Sequence, residues 1–231
     1  MIFTTDKVAT IRSAIAREYL NGNLVEDRTG AKVVELINAS FIADESSIFG
    51  TPDSDWNERE VAWYLTQSLN INDIEGNIPI LWKSIATSSG EINSNYGWCV
   101  FSEENGFQYF KALDALIANP NSRQSIMIYT RPSMHIDSCR DGMKDFMCCT
   151  HSQFFIRDNT LLNSVYFRSN DAVYGYKGDL HWHQTVYDSF HHSLSSHYPD
   201  LIKTPIVWNA GSLHVYERHF PLIERFISEG K

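Results

Sequence analysis

Two runs of strand-forming residues joined by a three-residue turn are the feature that most restricts how this chain can fold. Residues 152–157 and 161–169 are rich in aromatic and β-branched side chains, and Asp158-Asn159-Thr160 connects them. Runs of this kind, separated by turn-forming Asp and Asn, predict a β-hairpin. The fold must therefore contain a sheet with at least one antiparallel pair of strands.

The rest of the chain carries both helical and strand patterns. A first helix is predicted from a cap at Thr5 or Asp6 to about residue 20, where Asn21-Gly22-Asn23 ends it. Further helices are predicted over 58–69, 106–118 and 186–197, and strands over 32–41, 125–129 and 206–216, the last broken at Ala210-Gly211. Such a mixture, with several strands late in the chain, predicts an α+β fold with helices against a sheet.

Composition limits the class of protein. The 231 residues are 43% hydrophobic and contain no internal repeat or linker, which predicts one domain over residues 1–231. The longest apolar runs, such as residues 78–82, are too short to span a bilayer, and the N-terminus lacks the pattern of a secretory signal. We therefore expect a cytoplasmic protein without membrane contact.

Charge and cysteine content narrow the possible ligands. A net charge of -9 repels the phosphate backbone of nucleic acids, although a few local arginines can still hold a small anion. The four cysteines match no zinc pattern and are expected to be free thiols. His181 and His183 could ligate a metal from one face of a strand, but no matching carboxylate or third His accompanies them. We predict no metal and no direct nucleic-acid binding.

The segment that begins at Cys148 carries the strongest indication of function. Its spaced polar residues are Cys148, Gln153, Arg168-Ser169, Asp171, Gly175, His214 and Tyr216. A lone cysteine before a strand is usually a core residue, and an Arg-Ser-x-Asp run is usually a solvated turn. In combination they indicate a nucleotide pocket, because Arg168 can favour a thiolate and arginine and serine both donate to phosphate.

In order and spacing this segment resembles the thymidylate synthases and their pyrimidine hydroxymethylase relatives, and among these the phage deoxycytidylate 5-hydroxymethylases. Residues 92–98, 154–159 and 208–214 support that subgroup, and the resemblance extends from about residue 28 to residue 219. It implies a mixed sheet flanked by helices and a homodimer. It also implies transfer of a one-carbon unit from 5,10-methylenetetrahydrofolate to C5 of deoxycytidylate (dCMP), with addition of water, to give 5-hydroxymethyl-dCMP.

The resemblance also implies roles for individual residues. Cys148 matches the nucleophile that adds to C6 of the pyrimidine, and Glu60 matches the glutamate that organises water and proton transfer. The implied binding residues are Arg28, Arg168, Ser169 and the partner-donated Arg123 for phosphate, His214 and Tyr216 for the sugar, and Trp82 and Asp171 for the folate pterin ring.

The chain departs from the synthase pattern at several positions. Cys149 follows the nucleophile where the synthases usually have His, and Gln124 replaces a second subunit-crossing arginine. Asp179 stands where synthases that act on uracil carry Asn. A carboxyl group fits the amino group and protonated ring nitrogen of cytosine better than an amide does, so Asp179 indicates cytosine.

Two other functions fit the same motifs. One is reductive C5-methylation of dCMP or dUMP, which shares the C5-methylene intermediate and differs in whether water or hydride reaches it. The other is a non-catalytic nucleotide-binding protein, against which the joint presence of Cys148, Glu60 and Asp179 argues.

Overall fold

One mixed sheet organises the chain in the computed structural model, which describes residues 5–230. The strands are β1 (Val25–Glu26), β2 (Lys32–Ile42), β3 (Ile126–Ile128), β4 (Cys149–Arg157), β5 (Thr160–Phe167), β6 (Asn170–Asp171), β7 (Ile202–Lys203) and β8 (Val207–Tyr216). The helices are α1 (Val8–Leu20), α2 (Ser54–Thr66), α3 (Ile80–Ile85), α4 (Tyr96–Phe101), α5 (Gln108–Ala118), α6 (Met134–Asp137), α7 (Gly175–Ser195) and α8 (Phe220–Ser228). Within residues 5–230, no helix combines the length and apolarity needed to cross a membrane.

The strands of the main path follow the order β1-β2-β8-β5-β4-β3, with β6 beside β8 and β7 beside β5. The β4–β5 pair is the hairpin predicted from sequence, and Asp158 and Asn159 occupy its turn at φ angles of 50° and 54°. The β5–β8 pair is parallel, so the sheet is mixed. The predicted α+β architecture, a mixed sheet flanked by helices, is confirmed.

The core forms where the sheet meets α7. Along β5, Leu161, Val165 and Phe167 are buried at alternate positions, as expected for a strand with one face in the core. Phe154 of β4 stacks on Phe190 of α7 with ring centroids 4.1 Å apart. Full burial of a large apolar side chain contributes about 1.5–3 kcal/mol, so this face holds the sheet and α7 together.

Two predicted boundaries are wrong for the same physical reason. The helix predicted from residue 186 begins at Gly175, and the strand predicted to break at Ala210-Gly211 continues through it. At Gly211 a Cβ atom would lie 2.9 Å from the Arg168 carbonyl oxygen, and at Gly178 it would lie 3.0 Å from Glu60 Oε2. These glycines permit close approach of neighbouring elements inside regular structure, and local propensity does not reveal that.

The cap predicted for the first helix is also wrong. Neither Thr5 nor Asp6 caps α1, whose N-terminal flanking residue is Lys7 and makes no side-chain cap. Instead, Asp44 Oδ1 accepts the backbone N–H of Val8 at 3.1 Å, and Asp44 Oδ2 lies 3.6 Å from Lys7 Nζ. A residue more than thirty positions away therefore performs the capping function.

This difference gives a matched pair of substitutions. We expect Asp44→Ala to lower the free energy of unfolding by about 1 kcal/mol, because a helix N–H loses its acceptor. Asp6→Ala should leave it unchanged. Urea unfolding midpoints of the two variants measure this, and a larger loss in Asp6→Ala than in Asp44→Ala would contradict the structure.

Candidate active site

Arg168, directly after the end of β5, joins the start of β4 to the middle of β8. Its backbone N–H donates to the carbonyl oxygen of Cys148 at 3.0 Å, and its own carbonyl accepts the N–H of Ser212 at 3.2 Å. Cys148 directly precedes β4, and Ser212 lies in β8. The sheet thus places the predicted nucleophile and the predicted phosphate ligand side by side, as the sequence motif required.

The Cys148 thiol is half-buried and lies beside the Arg168 guanidinium, with 3.8 Å between Sγ and Nη2. Burial raises the pKa of Cys148 to about 11; Arg168 opposes this rise, and Asp179 adds to it. The thiol is therefore protonated at neutral pH in this arrangement. The Arg168 side chain also donates to the carbonyl oxygens of Met147 at 3.0 Å and Phe146 at 2.6 Å, which fixes its position over the loop.

An open cavity of about 510 Å³ lies beside Arg168. It is lined by Arg28, Ser138, Cys139, Met143, Lys144, Phe146 and Arg168. The lining has three cationic side chains and no carboxylate, which suits a phosphate group. Arg28 and Arg168 are thus brought together as predicted, and half-buried Ser169 follows Arg168 in the chain. Sequence reasoning missed Lys144, because a single lysine in a loop carries no pattern.

Glu60 is buried in α2, with 8% of its surface exposed. The indole N–H of Trp82 donates to Glu60 Oε1 at 3.2 Å, so these two predicted site residues are in direct contact. Burial, together with a smaller contribution from the nearby Asp179 carboxylate, raises the pKa of Glu60 to about 8. Glu60 therefore retains a proton at neutral pH, which an exposed helix glutamate would not.

Asp179 of α7 is held by two donors. The Tyr96 hydroxyl donates to Oδ1 at 3.0 Å, and the Asn170 amide donates to Oδ2 at 2.8 Å. The Trp208 indole N–H donates to Asn170 Oδ1 at 3.3 Å, which fixes the orientation of that amide. Burial raises the pKa of Asp179 to about 7, although both donors oppose this rise. Tyr96 lies in the motif of residues 92–98, and Asn170 lies in the Arg-Ser-x-Asp run. The sequence alone indicates no role for either side chain.

The remaining predicted residues lie on β6 and β8. Asp171 stands opposite His214 in the parallel register, and the rings of His214 and Tyr216 are 4.9 Å apart. Burial lowers the pKa of His214. Asp171 Oδ1 accepts the N–H of Val173 at 2.7 Å, which holds the turn leading into α7. Asp171 therefore forms a hydrogen bond that stabilises the fold, in addition to the pterin-binding role predicted for it.

Arg123 lies apart from these residues. It is exposed in the loop before β3, and its carbonyl accepts the Gln153 amide at 2.9 Å. Gln153 is five positions along β4 from Cys148, a distance of about 16 Å for an extended strand. Arg123 does not line the cavity of its own chain.

The two histidines considered as metal ligands lie on α7, so the expectation that they share a strand face is wrong. His183 is buried with its Nε2 3.6 Å from Cys149 Sγ, and burial lowers its pKa to about 3. No three His, Cys, Asp or Glu side chains converge as a ligand set anywhere between residues 5 and 230.

Comparison with known proteins gives consistent matches. The family model for thymidylate synthase matches residues 12–230. The chain is 44% identical to deoxycytidylate 5-hydroxymethyltransferase of Enterobacteria phage T6 over 233 aligned residues, covering all of this chain and 95% of that one. The protein of the same name from Enterobacteria phage T4 is 43% identical over 235 residues, with the same coverage.

More distant matches share the fold or part of the sequence. Thymidylate synthase of Francisella philomiragia is 27% identical over 179 residues, which cover 73% of this chain and 64% of that one. The solved structure of thermostable thymidylate synthase A from Bacillus subtilis superposes with a TM-score of 0.69 at 20% identity, covering 94% of this chain and 83% of the other. On the family match and the full-length relatives, the chain belongs to the thymidylate synthase family.

Proposed function

We propose that the protein is a deoxycytidylate 5-hydroxymethyltransferase, which converts dCMP to 5-hydroxymethyl-dCMP with methylenetetrahydrofolate as the one-carbon donor. The observation that carries this proposal is the carboxyl group of Asp179, which is held by Tyr96 and Asn170. Asn170 lies two residues after Arg168, whose guanidinium contacts the Cys148 sulfur. Relatives with this name at 43–44% identity over the whole chain support it.

Asp179 reads the base in this proposal. Cytosine presents an amino group at N4, which donates, and a ring nitrogen at N3, which becomes a donor when protonated. Each oxygen of Asp179 already accepts one hydrogen bond and has a further lone pair for the base. Because the pKa of Asp179 is about 7, its carboxyl can exchange a proton with N3 near neutral pH.

Cys148 is the nucleophile. Its sulfur forms a bond to C6, and the electron pair of the C5–C6 double bond moves toward C5, which becomes the carbon that attacks the one-carbon unit. The thiol proton must leave during this step, since the thiol is protonated beforehand. The Arg168 guanidinium, 3.8 Å from Sγ, stabilises the thiolate as it forms.

The phosphate and sugar are bound at the outer side of the cavity. Arg28 and Arg168 line the cavity, and Ser169 follows Arg168 in the chain, so we assign their donors to the phosphate group. His214 and Tyr216 of β8 hydrogen-bond the sugar 3'-hydroxyl. The lowered pKa of His214 keeps its imidazole neutral, with one nitrogen as donor and the other as acceptor.

The residues around α3 fit a folate ring. Ile80 and Leu81 are 84% and 63% exposed and neighbour Trp82, which contacts Glu60. An apolar surface next to a buried carboxyl suits a flat ring with a polar edge, which supports Trp82 as part of the pterin site. Asp171 is assigned to the same site on the family resemblance alone. When bound, methylenetetrahydrofolate supplies a one-carbon unit at the oxidation level of formaldehyde. After C5 has lost its hydrogen as a proton and tetrahydrofolate has departed, Glu60 orients the water that adds to the exocyclic C5-methylene group and relays the proton that this water releases. The Cys148 sulfur then leaves C6, which restores the C5–C6 double bond.

The active enzyme is a homodimer in this proposal. Arg123 is exposed and does not line the cavity of its own chain, which supports a role for it at the phosphate site of a second subunit. The sheet also exposes apolar side chains, including Ile37 and Ile128, on its edge and outer strands. A two-fold dimer would cover such residues and bring Arg123 of the partner subunit to each phosphate site.

Cysteine substitutions test the proposed nucleophile. Cys148→Ser should nearly abolish formation of 5-hydroxymethyl-dCMP while dCMP binding persists, because serine is a far weaker nucleophile than cysteine. Cys149→Ser should remain substantially active, since Cys149 is buried against His183. Product formation followed by mass spectrometry measures both. A fully active Cys148→Ser enzyme would remove the mechanism.

Asp179→Asn tests the base reader. With uracil, O4 would face the Asp179 acceptor without a donor, a buried mismatch worth about 1–3 kcal/mol. The substitution should therefore shift the ratio of kcat/KM for dCMP to that for dUMP toward dUMP by about 10–100-fold. Asp114→Asn on the exposed face of α5 is the control and should not change the ratio. An unchanged ratio in Asp179→Asn would show that Asp179 does not read the base.

Subunit mixing tests the shared phosphate site. Cys148→Ser and Arg123→Ala are each expected to be inactive, and a one-to-one mixture should recover about a quarter of the wild-type activity through heterodimers with one intact site. As a control, Cys148→Ser mixed with Glu60→Gln should recover none, because both residues belong to the same chain's site. Absence of recovery in the first mixture, with heterodimers demonstrated, would contradict a shared site.

A further inference from the structure

Lys144 occupies a defined place in the loop that leads to the nucleophile. Its backbone N–H donates to the Ile85 carbonyl at 2.8 Å, and its neighbours Met143 and Asp145 are buried. The Asp145 carboxylate accepts the N–H groups of Asn93 and Ser94 at 2.7 Å each. Because Asp145 is anchored inward on one side of Lys144 and Met143 is buried on the other, the exposed Lys144 side chain extends outward to the cavity.

The charge around Lys144 indicates an anion. It lines the cavity with Arg28 and Arg168, and no carboxylate is among the lining residues. Within residues 5–230 the Lys144 ammonium group forms no ion pair. In a chain of net charge -9, a cavity lined by three cationic side chains and no carboxylate is locally positive, which attracts and retains an anionic group.

Arg168 alone has limited capacity for that anion. Its Nε and Nη2 atoms already donate to the Met147 and Phe146 carbonyls, and its guanidinium lies 4.8 Å from the Phe146 ring centroid. These contacts fix its orientation and use part of its donor set. The Lys144 ammonium is a compact charge with three donors on a flexible stem. It can therefore contact phosphate oxygens that the fixed Arg168 guanidinium does not reach.

We propose that Lys144 is a further phosphate-binding residue, which acts with Arg28 and Arg168 on the 5'-phosphate of the nucleotide. This inference rests on the proposed function, since it assumes that the cavity receives the phosphate of dCMP. It concerns affinity for the phosphate group and gives Lys144 no part in the bond-making steps at C5 and C6.

The test compares ligands with and without the phosphate group. Dissociation constants for dCMP, deoxycytidine and inorganic phosphate are measured by calorimetry on the full chain for wild type, Lys144→Gln, Lys144→Arg and Lys111→Gln. Lys111 is an exposed lysine of α5 outside the cavity, so its variant controls for the change in net charge. Thermal melting of each variant verifies that the fold is retained.

We expect Lys144→Gln to weaken dCMP binding about tenfold, as for loss of a charged hydrogen bond, and to weaken phosphate binding in parallel. Deoxycytidine binding should be unchanged, Lys144→Arg should retain most of the dCMP affinity, and Lys111→Gln should behave as wild type. Unchanged dCMP affinity in Lys144→Gln, or equal weakening of dCMP and deoxycytidine, would overturn the inference. A wild-type protein that binds deoxycytidine as tightly as dCMP would instead contradict the proposed function.

Discussion

The backbone of Arg168 is the contact on which the rest of the site depends. Its N–H binds the Cys148 carbonyl and its carbonyl binds the Ser212 N–H, so one residue joins the start of β4 to the middle of β8. The approach is possible because Gly211 has no Cβ, which would lie 2.9 Å from the Arg168 oxygen. The nucleophile, a phosphate ligand and the strand that carries His214 are consequently fixed relative to one another by the sheet.

A second constraint comes from two carboxyl groups that are shielded from solvent, the buried Glu60 and the half-buried Asp179. Burial raises the pKa of Glu60 to about 8 and that of Asp179 to about 7. Between the unfolded pKa values, near 4, and these folded values, the native state binds more protons than the unfolded state, so these groups lower stability as pH rises. If stability alone mattered, apolar or amide side chains would be favoured over the Glu60 and Asp179 carboxyl groups. Their retention among Tyr96, Asn170 and Trp82 is explained by the proton transfers of the proposed reaction.

The sequence was sufficient to predict features that depend on neighbouring residues or on several motif residues in a fixed order. The hairpin turn, the α+β class and the pairing of Cys148 with Arg168 all follow from such patterns. It was insufficient where a distant residue decides the outcome. Asp44 caps α1, and Gly178 permits the close approach of Glu60 to α7.

The candidate site shows the same division. Asn170 lies in a motif that was recognised, but its role depends on the Trp208 indole that orients its amide. Lys144 reaches the cavity because Asp145 beside it is anchored to Asn93 and Ser94, more than fifty residues away. Spacing along a chain does not encode such tertiary contacts. The family resemblance implies no role for position 144, so it does not indicate Lys144 either.

The most direct test of the account is the identity of the product made from dCMP and methylenetetrahydrofolate in water labelled with oxygen-18. If Cys148, Glu60 and Asp179 act as proposed, mass spectrometry will find dCMP carrying a C5 hydroxymethyl group with the heavy oxygen, and tetrahydrofolate as the second product. Product without the label, or a C5 methyl group accompanied by dihydrofolate, would contradict the proposed addition of water at this site.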